Sequence, residues 1–471
     1  MMDKQKLADL AAQALSENMR DVCRVLAGAG HRAYVVGGWL RDIILGRSAG
    51  DADVATTARP QEIEKLFRRT IPTGIAHGTV TVRLDQSSYE VTTLRGDGTY
   101  SDGRRPDTVS FVNDIHDDLA RRDFTMNAIA YEPETGEVHD PFSGMEDLEK
   151  HLIRAVGNPS ERFSEDGLRC MRAARFSAVL DFDIEEETLK AIPGSLDTFR
   201  KVSPERVRME LVKLIAGQNP AAGLKVLLST GLLREIMPEL ADCAGSDQNA
   251  YHEFDVFRHS VLTCQNLPAS DPVLRLAGLV HDVGKPVVRV TDEKKNDYVF
   301  HGHEKTGARI VDGWMEKLKF SNADRERVVH LVRYHGYHYT DEWTDAAVRR
   351  FIRKVGVGHL EDLHVLREAD IMSHGEGMEH ESLVLLNTLR ERVEKELAKQ
   401  SAINVSDLAV KGSDLIDGLQ IAPGPVIGIL LEMLLDHVME HPQENNRKNL
   451  MVKARHLLEK ALEAAAANGK S

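Results

Sequence analysis

The stretch that decides the fold of the N-terminal part of this chain is Ala33-Tyr34-Val35-Val36-Gly37-Gly38-Trp39-Leu40-Arg41-Asp42, followed by Asp51-Ala52-Asp53. A buried-strand pattern that runs into two glycines and then into a helix lets backbone N–H groups approach a phosphate chain closely. On a strand, residues i and i+2 face the same side, so the carboxylates of Asp51 and Asp53 can converge on one point. Such a pair, with a triphosphate supplying further oxygens, suits Mg²⁺. A Gly-Gly pair alone is usually only a turn, and an isolated Asp-x-Asp is more often two solvated loop acids.

Further strand patterns occupy residues 51–55, 79–84 and 89–94, and a helical pattern covers 60–68. From about residue 160 onward helical periodicity replaces them. We therefore predict an α+β fold, in which a head with a mixed sheet and helices precedes an elongated all-α region. The breaks in the pattern divide the chain into four segments: the head 1–157, the neck 158–225, the body 226–400 and the tail 401–471.

Composition excludes several classes of protein. The 471 residues carry 60 Lys and Arg against 74 Asp and Glu, a net charge of −14, and 42% are hydrophobic, which excludes a disordered or fibrous chain. No apolar run is long enough for a membrane helix. The four cysteines form no C-x-x-C pair, which predicts a reducing, cytoplasmic location. The acidic balance argues mildly against nucleic-acid binding, although local charge matters more there.

The block Arg121-Arg122-Asp123-Phe124-Thr125-Met126-Asn127 is dense in polar groups suited to a nucleotide. Two guanidinium groups suit a triphosphate, because each can bind phosphate oxygens through two parallel N–H donors. Asp123 and Asn127 can form hydrogen bonds with ribose hydroxyls, which would favour NTP over dNTP. The alternative is a salt-bridged helix start.

In the neck, Asp166, Arg169 and Arg172 recur every three residues, and Arg175 continues the row, which predicts a ridge on one helical face. An Asp oxygen can accept from the amino group of cytosine or adenine while an Arg N–H donates to the ring nitrogen. Guanine and uracil present the opposite polarity, so both contacts would become repulsive. The alternative is an ordinary surface salt bridge, which this spacing usually forms.

In the body, histidines and aspartates lie at wide spacing in helical sequence: His259, His281-Asp282, His303, His335 and Asp370. Together they fit a mixed nitrogen and oxygen metal site. Lone histidines are more often satisfied core or surface residues than ligands.

The pattern Gly-Gly-x-x-Arg-Asp, a Leu-Gly pair and then Asp-x-Asp resembles the head of the class II CCA-adding tRNA nucleotidyltransferase and poly(A) polymerase family. The block at 121–131 and the neck string Glu165-Asp166-x-x-Arg169-x-x-Arg172-Ala173-x-Arg175-Phe176 are similar to two further motifs of that family. One departure is Gly167, where many members have proline. The body resembles the HD metal-dependent phosphohydrolase domain.

The resemblance implies roles for particular residues. Asp51 and Asp53 would be catalytic and hold Mg²⁺, and Asp166 and Arg169 would read the base. The rest of the nucleotide site would consist of Gly37, Gly38, Arg41, Asp42, Arg121, Arg122, Asp123, Asn127, Arg172 and Arg175. A second divalent metal in the body would be bound by His259, His281, Asp282 and Asp370, with His303 and His335 available for a further ion.

The implied function is template-independent addition of C, C and A to the 3′ end of tRNA from CTP and ATP. A glycine-rich loop predicted at 95–107 argues against a cytidine-only enzyme, and the tail is expected to contact tRNA. The alternatives are an adenosine-only enzyme or poly(A) polymerase, a hydrolase of phosphomonoesters or cyclic 2′,3′-phosphates at the HD site, and a non-catalytic RNA-binding protein. A basic face is expected from Arg41, Arg121, Arg122, Arg169, Arg172 and Arg175. No membrane partner is expected, and the oligomeric state stays open.

Overall fold

The computed structural model describes residues 2–50, 52–74, 78–97, 109–248, 253–294, 296–375, 379–399 and 402–468. They form two compact units. The first contains residues 1–242, 268–275 and 313–321, and the second contains 243–267, 276–312 and 322–471. The predicted division into head, neck, body and tail is finer and stays a prediction.

The strands of the first unit are β1 (Ala33–Val36), β2 (Asp53–Thr56), β3 (Thr70–Gly74), β4 (Thr79–Leu84), β5 (Ser87–Thr93), β6 (Arg95–Asp97), β7 (Val109–Phe111), β8 (Ala130–Glu132), β9 (Glu137–His139), β10 (Leu152–Ile153) and β11 (Asp183–Ile184). Seven of them form one mixed sheet in the order β3-β4-β5-β2-β1-β8-β9. All four residues of β1 are buried, as expected for a central strand. The strands β6 and β7 pair with each other, so part of the predicted loop at 95–107 is a strand, and its residues 98–107 lie outside the described residues.

The helices in this part of the chain are α1 (Lys4–Ala14), α2 (Glu17–Gly28), α3 (Gly38–Ile44), α4 (Pro60–Leu66), α5 (Ile115–Ala120), α6 (Gly144–Glu149), α7 (Pro159–Glu165), α8 (Leu168–Leu180), α9 (Glu186–Ala191), α10 (Leu196–Phe199), α11 (Pro204–Ile215), α12 (Pro220–Ser229), α13 (Leu232–Ile236) and α14 (Pro238–Ala241). Several begin at side-chain caps: Asp3, Ser16 and Asn158 each accept from backbone N–H groups of the first turn. These elements confirm the predicted α+β head followed by helices.

The second unit is almost entirely helical. From residue 256 onward the elements are α15 (Val256–Asn266), α16 (Pro272–Val280), α17 (Lys285–Val288), β12 (Val290–Asp292), β13 (Asp297–Val299), α18 (His303–Lys317), α19 (Asn322–Tyr334), α20 (Asp345–Val355), α21 (Leu360–Ile371), α22 (Glu379–Ala398), α23 (Gly412–Leu419), α24 (Pro425–Glu440) and α25 (Arg447–Asn468). The turn predicted at Pro423-Gly424-Pro425 does lead into a helix. Leucines of α24 and α25, among them Leu430, Leu434 and Leu450, form a buried cluster.

The four cysteines, Cys23, Cys170, Cys243 and Cys264, are free thiols and all are buried. Within the described ranges, no helix combines the length and the apolar character that crossing a membrane requires. The cytoplasmic location stays a prediction.

Candidate functional site

The first part of the site is the turn between β1 and α3. Gly37 has a φ of +82°, a conformation that favours glycine. A Cβ added to Gly37 would lie 3.3 Å from Arg122 Nη1 and 3.9 Å from Asp53 Oδ2. β1 pairs with β2 on one side and with β8 on the other, and Val36 lies opposite Asp53 and opposite Ala130. The turn at Gly37 therefore lies beside Asp53 and near the segment before β8, which contains Arg122. A carboxylate and a guanidinium therefore face the open side of a glycine, where a metal-bound phosphate chain fits.

Asp53 is the first residue of β2, and its side chain is exposed. Asp51, the other predicted catalytic carboxylate, lies outside the described residues. Glu90 is also exposed and lies on β5, which runs parallel to β2. Since Val54 pairs with Val91, the residues just before them, Asp53 and Glu90, occupy the same face of the sheet.

Four predicted nucleotide-site residues form one hydrogen-bonded chain. Arg41 donates to both oxygens of Asp42, from Nε at 3.0 Å and from Nη2 at 3.1 Å. Its Nη1 donates to Asn127 Oδ1 at 2.9 Å. The amide Nδ2 of Asn127 in turn donates to Asp123 Oδ1 at 3.1 Å. The helix after the double glycine is thereby fixed to the block at 121–127.

The two arginines of that block share a carboxylate that the sequence analysis did not identify. Asp118 Oδ1 accepts from Arg121 Nη2 at 2.7 Å, and Asp118 Oδ2 accepts from Arg122 Nη2 at 3.2 Å. Burial alone would raise the pKa of Asp118, but Arg121 and Arg122 lower it below its ordinary value. The available signal was spacing, since Asp118 precedes the two arginines by three and four residues. Asp118 orients the guanidinium of Arg122 that faces Gly37.

An ion-pair network joins the head to the neck. Arg172 Nε donates to Asp123 Oδ2 at 2.7 Å. Arg175 forms an ion pair with Glu210 at 2.6 Å, and its guanidinium lies 3.7 Å from the ring centroid of Phe176. Burial alone would raise the pKa of Asp123, but Arg172 and Asn127 hold it well below its ordinary value, so this carboxylate stays ionised. Glu210, from α11, is a second partner that the sequence analysis missed.

The predicted base-reading pair has a different local structure from the one expected. Asp166 follows α7 in an extended conformation, and α8 begins only at Leu168, so Asp166 is not part of a helical ridge with Arg169 and Arg172. The residue between Asp166 and Leu168, Gly167, is closely packed, since an added Cβ would be 2.5 Å from the backbone nitrogen of Phe199. A proline ring would not fit there, which accounts for the departure from the family pattern.

Asp166 and Arg169 each have other partners. The oxygens of Asp166 accept from Arg206 Nη1 at 3.3 Å and Nη2 at 2.6 Å, and from the Leu168 N–H at 3.0 Å. Arg169 is buried, donates to the Arg121 carbonyl at 2.9 Å and forms an ion pair with Glu165. Arg206, to which the sequence analysis gave no functional role, forms an ion pair with the carboxylate predicted to read the base.

The prediction that the six arginines form a basic face is wrong. Each of the six forms an ion pair with an acidic side chain: Arg41 with Asp42, Arg121 and Arg122 with Asp118, Arg169 with Glu165, Arg172 with Asp123, and Arg175 with Glu210. Their side chains are between 11% and 33% exposed. The guanidinium groups are therefore oriented and largely neutralised rather than presented as a patch.

The second unit brings together the predicted histidines and aspartates. His259 Nε2 lies 3.3 Å from His281 Nε2 and 2.9 Å from Asp370 Oδ1. His281 Nε2 lies 3.1 Å from Asp282 Oδ2. All four of these residues are buried. Burial alone would raise the pKa of Asp282, but His281 and Lys285 hold it well below its ordinary value.

His303 and His335 form a second group on the other oxygen of Asp282. Their Nε2 atoms are 3.2 Å apart, and each lies 3.4 Å from Asp282 Oδ1. Asp282 therefore lies between two pairs of histidines, with one oxygen toward each. Carboxylates that bridge in this way are suited to two neighbouring metal ions.

Backbone carbonyls fix the orientation of every histidine in this cluster. The Nδ1 atoms of His259, His281, His303 and His335 lie between 2.7 and 3.1 Å from the carbonyl oxygens of Ser373, Gly278, Phe300 and Val332. Each Nδ1 can thus donate its proton to a carbonyl, which leaves the Nε2 lone pair for a metal. Lys285 and Arg367, which contact Asp282 and Asp370, line the adjoining cavity of about 390 Å³.

Three protein-family profiles match successive parts of the chain. Residues 33–154 match the poly A polymerase head domain, residues 181–243 match a probable RNA and SrmB- binding site of polymerase A, and residues 249–375 match the HD domain.

Several proteins named CCA-adding enzyme are similar to this chain in sequence or in structure. A CCA-adding enzyme of Limosilactobacillus reuteri is 52% identical over 219 residues, which are 46% of this chain and 54% of the relative. The chain thus aligns with about half the length of the curated relatives it matches at the highest identity. The crystal structure of a Bacillus stearothermophilus CCA-adding enzyme in complex with CTP is 26% identical, has a TM-score of 0.69, and is covered over 100% of its length and 98% of this chain. A CCA-adding enzyme of Enterococcus faecalis is 35% identical over 431 residues, which are 91% of this chain and 93% of the relative, and the chain therefore belongs to the CCA-adding enzyme family of nucleotidyltransferases.

Proposed function

We propose that this protein adds C, C and A to the 3′ end of tRNA, using CTP and ATP and no nucleic-acid template. The observation that carries the proposal is the bonded path from Arg41 through Asn127 and Asp123 to Arg172. This path supports the proposal that the groups suited to a triphosphate and those suited to a base belong to one continuous site. The names of the relatives support the same assignment.

At the phosphate end, we assign Asp51 and Asp53 to a divalent ion, taken to be Mg²⁺. The exposed carboxylate of Asp53 beside the open side of Gly37 fits such an ion with its bound phosphates. When bound, the ion neutralises charge on the phosphates. Arg122, fixed by Asp118, faces the same space and can donate to phosphate oxygens. The RNA 3′ oxygen forms a bond to the α-phosphorus, the bond to pyrophosphate breaks, and the hydroxyl proton is released.

At the base end, we assign recognition to Asp166 and Arg169. A carboxylate offers about four lone-pair positions, and Arg206 and the Leu168 N–H occupy some of them. Asp166 can therefore stay oriented while it accepts from the amino group of cytosine or adenine. A carbonyl of uracil or guanine at that point would face an acceptor and be repelled.

The test uses purified protein, Mg²⁺, labelled CTP or ATP, and tRNA that lacks its last three nucleotides, with sequencing of the 3′ ends. Ends that read CCA and stop there are the expected result. Asp53→Asn should abolish addition, whereas Asp85→Asn, which alters an exposed aspartate between β4 and β5, should not. A single A on tRNA ending in CC, without C incorporation, would assign an adenosine-only enzyme, and a long A tail would assign a poly(A) polymerase.

A second candidate function is metal-dependent phosphohydrolysis at the cluster in the second unit. The position of Asp282 between two histidine pairs favours it. We propose that His259, His281, Asp282 and Asp370 hold one divalent ion and that His303 and His335 share Asp282 with another. In hydrolysis of a phosphomonoester or cyclic 2′,3′-phosphate, a bond forms between phosphorus and a water oxygen, the ester P–O bond breaks, and the leaving oxygen takes a proton.

Metal analysis after dialysis against Mn²⁺ tests the site apart from its activity. Wild type should retain two ions per chain, and Asp282→Asn should retain fewer, whereas His338→Ala, a change at an exposed histidine outside the cluster, should have no effect. Hydrolysis of 4-nitrophenyl phosphate should persist in Asp53→Asn and disappear in Asp282→Asn. Wild type without bound metal or hydrolysis would reject this candidate.

A further inference from the structure

A second cavity of about 330 Å³ adjoins the histidine and aspartate cluster. It is lined by Lys305, Arg333, Lys354, Tyr334, Tyr337 and Glu304. Glu304 and Gly336 also line the 390 Å³ cavity of the cluster, so the two cavities have a common wall. An added Cβ on Gly336 would lie 2.6 Å from Glu304 Oε1, which shows how closely this wall is packed.

The second cavity is built by residues adjacent to two predicted metal ligands. Lys305 follows His303 by two residues at the start of α18. Arg333 and Tyr334 end α19 directly before His335, and Tyr337 follows it by two. A ligand in this cavity is consequently held next to whatever the cluster binds.

The charge of the cavity indicates the class of ligand. Lys305, Arg333 and Lys354 form no ion pair with any carboxylate that the structure describes, and the residues are exposed, in a protein with a net charge of −14. Glu304 is the acidic residue of the lining, and it lies 3.7 Å from His303 Nδ1. Three cations at one cavity fit phosphate oxygens.

Helix electrostatics explains only two of these cations. Arg333 and Lys354 lie in the last turns of α19 and α20, where positive charge is favourable. Lys305 lies in the first turn of α18, where positive charge is unfavourable. Helix electrostatics therefore gives no reason for Lys305, whereas a bound anion would.

Two tyrosines in the lining of the second cavity indicate the class of ligand more closely. Lys354 Nζ lies 5.7 Å from the ring centroid of Tyr334, and the ring of Tyr337 packs against Phe351 at 4.9 Å. Aromatic rings beside cations are typical of sites that bind a nucleobase together with its phosphate.

We propose that this cavity binds a nucleotide unit, with its phosphate on the three cations and its base against the tyrosines, next to the phosphate handled by the cluster. The proposal deepens the second candidate function and rests on it for the chemistry, but not for binding. The nucleotide unit has two sources, an RNA end and a free nucleotide, which the experiment separates.

The test is photo-crosslinking with full-length protein and a 5-iodouridine tetranucleotide carrying a 3′-phosphate, followed by mass spectrometric mapping. Crosslinks are expected on Tyr334 or Tyr337. They should fall at least fivefold in Lys305→Ala/Arg333→Ala but not in Arg309→Ala, which removes an exposed arginine of the same helix that does not line the cavity. 5-Iodouridine monophosphate is tested in parallel. If it crosslinks as well as the tetranucleotide does, the ligand of the cavity is a free nucleotide and not an RNA end. Crosslinks on neither tyrosine with either probe, or yields unchanged by the double substitution, would overturn the proposal.

Kinetics separate this proposal from the hydrolase assignment. If the cluster hydrolyses phosphate esters, the double variant should lose at least fivefold in kcat/KM for the tetranucleotide 3′-phosphate and less than twofold for 4-nitrophenyl phosphate. An equal loss for both substrates would contradict binding in the second cavity. Absence of hydrolysis in wild type would reject only the second candidate function. Whether the cavity binds a nucleotide unit would then be judged from the crosslinking result.

Discussion

Replacement of Gly37 by alanine tests whether substrate phosphates approach the open side of this residue. The φ of +82° costs an L-residue roughly 1–2 kcal/mol of folding free energy. For a unit of this size, that loss corresponds to a fall in Tm of roughly 2–8 °C. The added methyl would lie 3.3 Å from Arg122 Nη1, which is closer than an ordinary van der Waals contact, so the end of the Arg122 side chain must move by a few tenths of an ångström. The fold should therefore survive.

Gly136→Ala is the matched control for this substitution. Gly136 has a φ of +74° in the turn between β8 and β9, and an added Cβ would meet no atom within 4 Å. The strain is the same, but no functional group lies near it. Both variants should lose similar stability, and only Gly37→Ala should lose kcat/KM for C addition, by about tenfold or more, because about 1.4 kcal/mol of lost phosphate contacts suffices for tenfold.

The assay combines thermal unfolding with incorporation of labelled C into tRNA that lacks CCA, at a series of CTP concentrations. Equal activity in the two variants would refute the inference that phosphates lie beside Gly37. A much larger fall in Tm for Gly37→Ala than for Gly136→Ala would show instead that Arg122 cannot move, which would contradict the packing argument.

Four further outcomes follow from the structure. Arg206→Ala should lower the ratio of kcat/KM for CTP over UTP by about tenfold or more, since hydrogen bonds to a charged group contribute about 1.5–3 kcal/mol. Arg206→Lys should restore part of this ratio. The control Arg200→Ala, which breaks an exposed ion pair with Glu235, should leave the ratio unchanged. Asp123→Asn should destabilise the protein to urea by about 2 kcal/mol, because Arg172, whose side chain is 33% exposed, loses the nearer of its two carboxylate partners and keeps only Glu210 at 3.9 Å. Asp123 has a depressed pKa, so its contribution to stability is present above the ordinary value of 3.8 and is lost as pH falls below it. The variant should lack that acid-dependent loss. Burial, and then His359, lower the pKa of His330, so the unfolded chain binds more protons than the folded one. The Tm should therefore fall as pH drops through the ordinary value of 6.5. In His330→Gln this fall in Tm should be smaller. Burial, and then Asp166, raise the pKa of the Cys170 thiol to about 12, so iodoacetamide at mildly alkaline pH should modify it only after denaturation; labelling of the native protein, found by mass spectrometry, would contradict this.

Local patterns predicted four of the seven strands of the main sheet, β1, β2, β4 and β5, and missed β3, β8 and β9. The strand at 79–84 was identified with its observed ends, and the strand before the double glycine was found because its apolar run is buried on both faces. The predicted ridge wrongly included Asp166 in the helix that begins at Leu168, and the close contact of Gly167 with the backbone of Phe199 was not found. That contact joins residues more than thirty positions apart, and no local pattern reports it.

The same limit explains the missed site residues. Arg206 and Glu210 contact Asp166 and Arg175 from α11, a helix to which the sequence analysis gave no functional role. Sequence alone identified residue types that suit a nucleotide but did not give their partners. For arginine the partner decides the role, since a guanidinium held by a carboxylate is oriented and a free one is not.

This distinction changes the electrostatic description of how the proposed tRNA substrate would bind. The predicted arginines of the head and neck are paired, so their field is largely cancelled beyond the distance of direct contact. They can hold a phosphate that has already arrived, through N–H groups of fixed direction, but they do little to attract one from solution. Attraction over longer distances requires cations that form no ion pair, and Lys305, Arg333 and Lys354 are three such cations among the described residues, although Glu304 lines the same cavity. If the proposed tRNA substrate is attracted to a chain with a net charge of −14, unpaired cations such as these must therefore contribute more to the attraction than the paired arginines do.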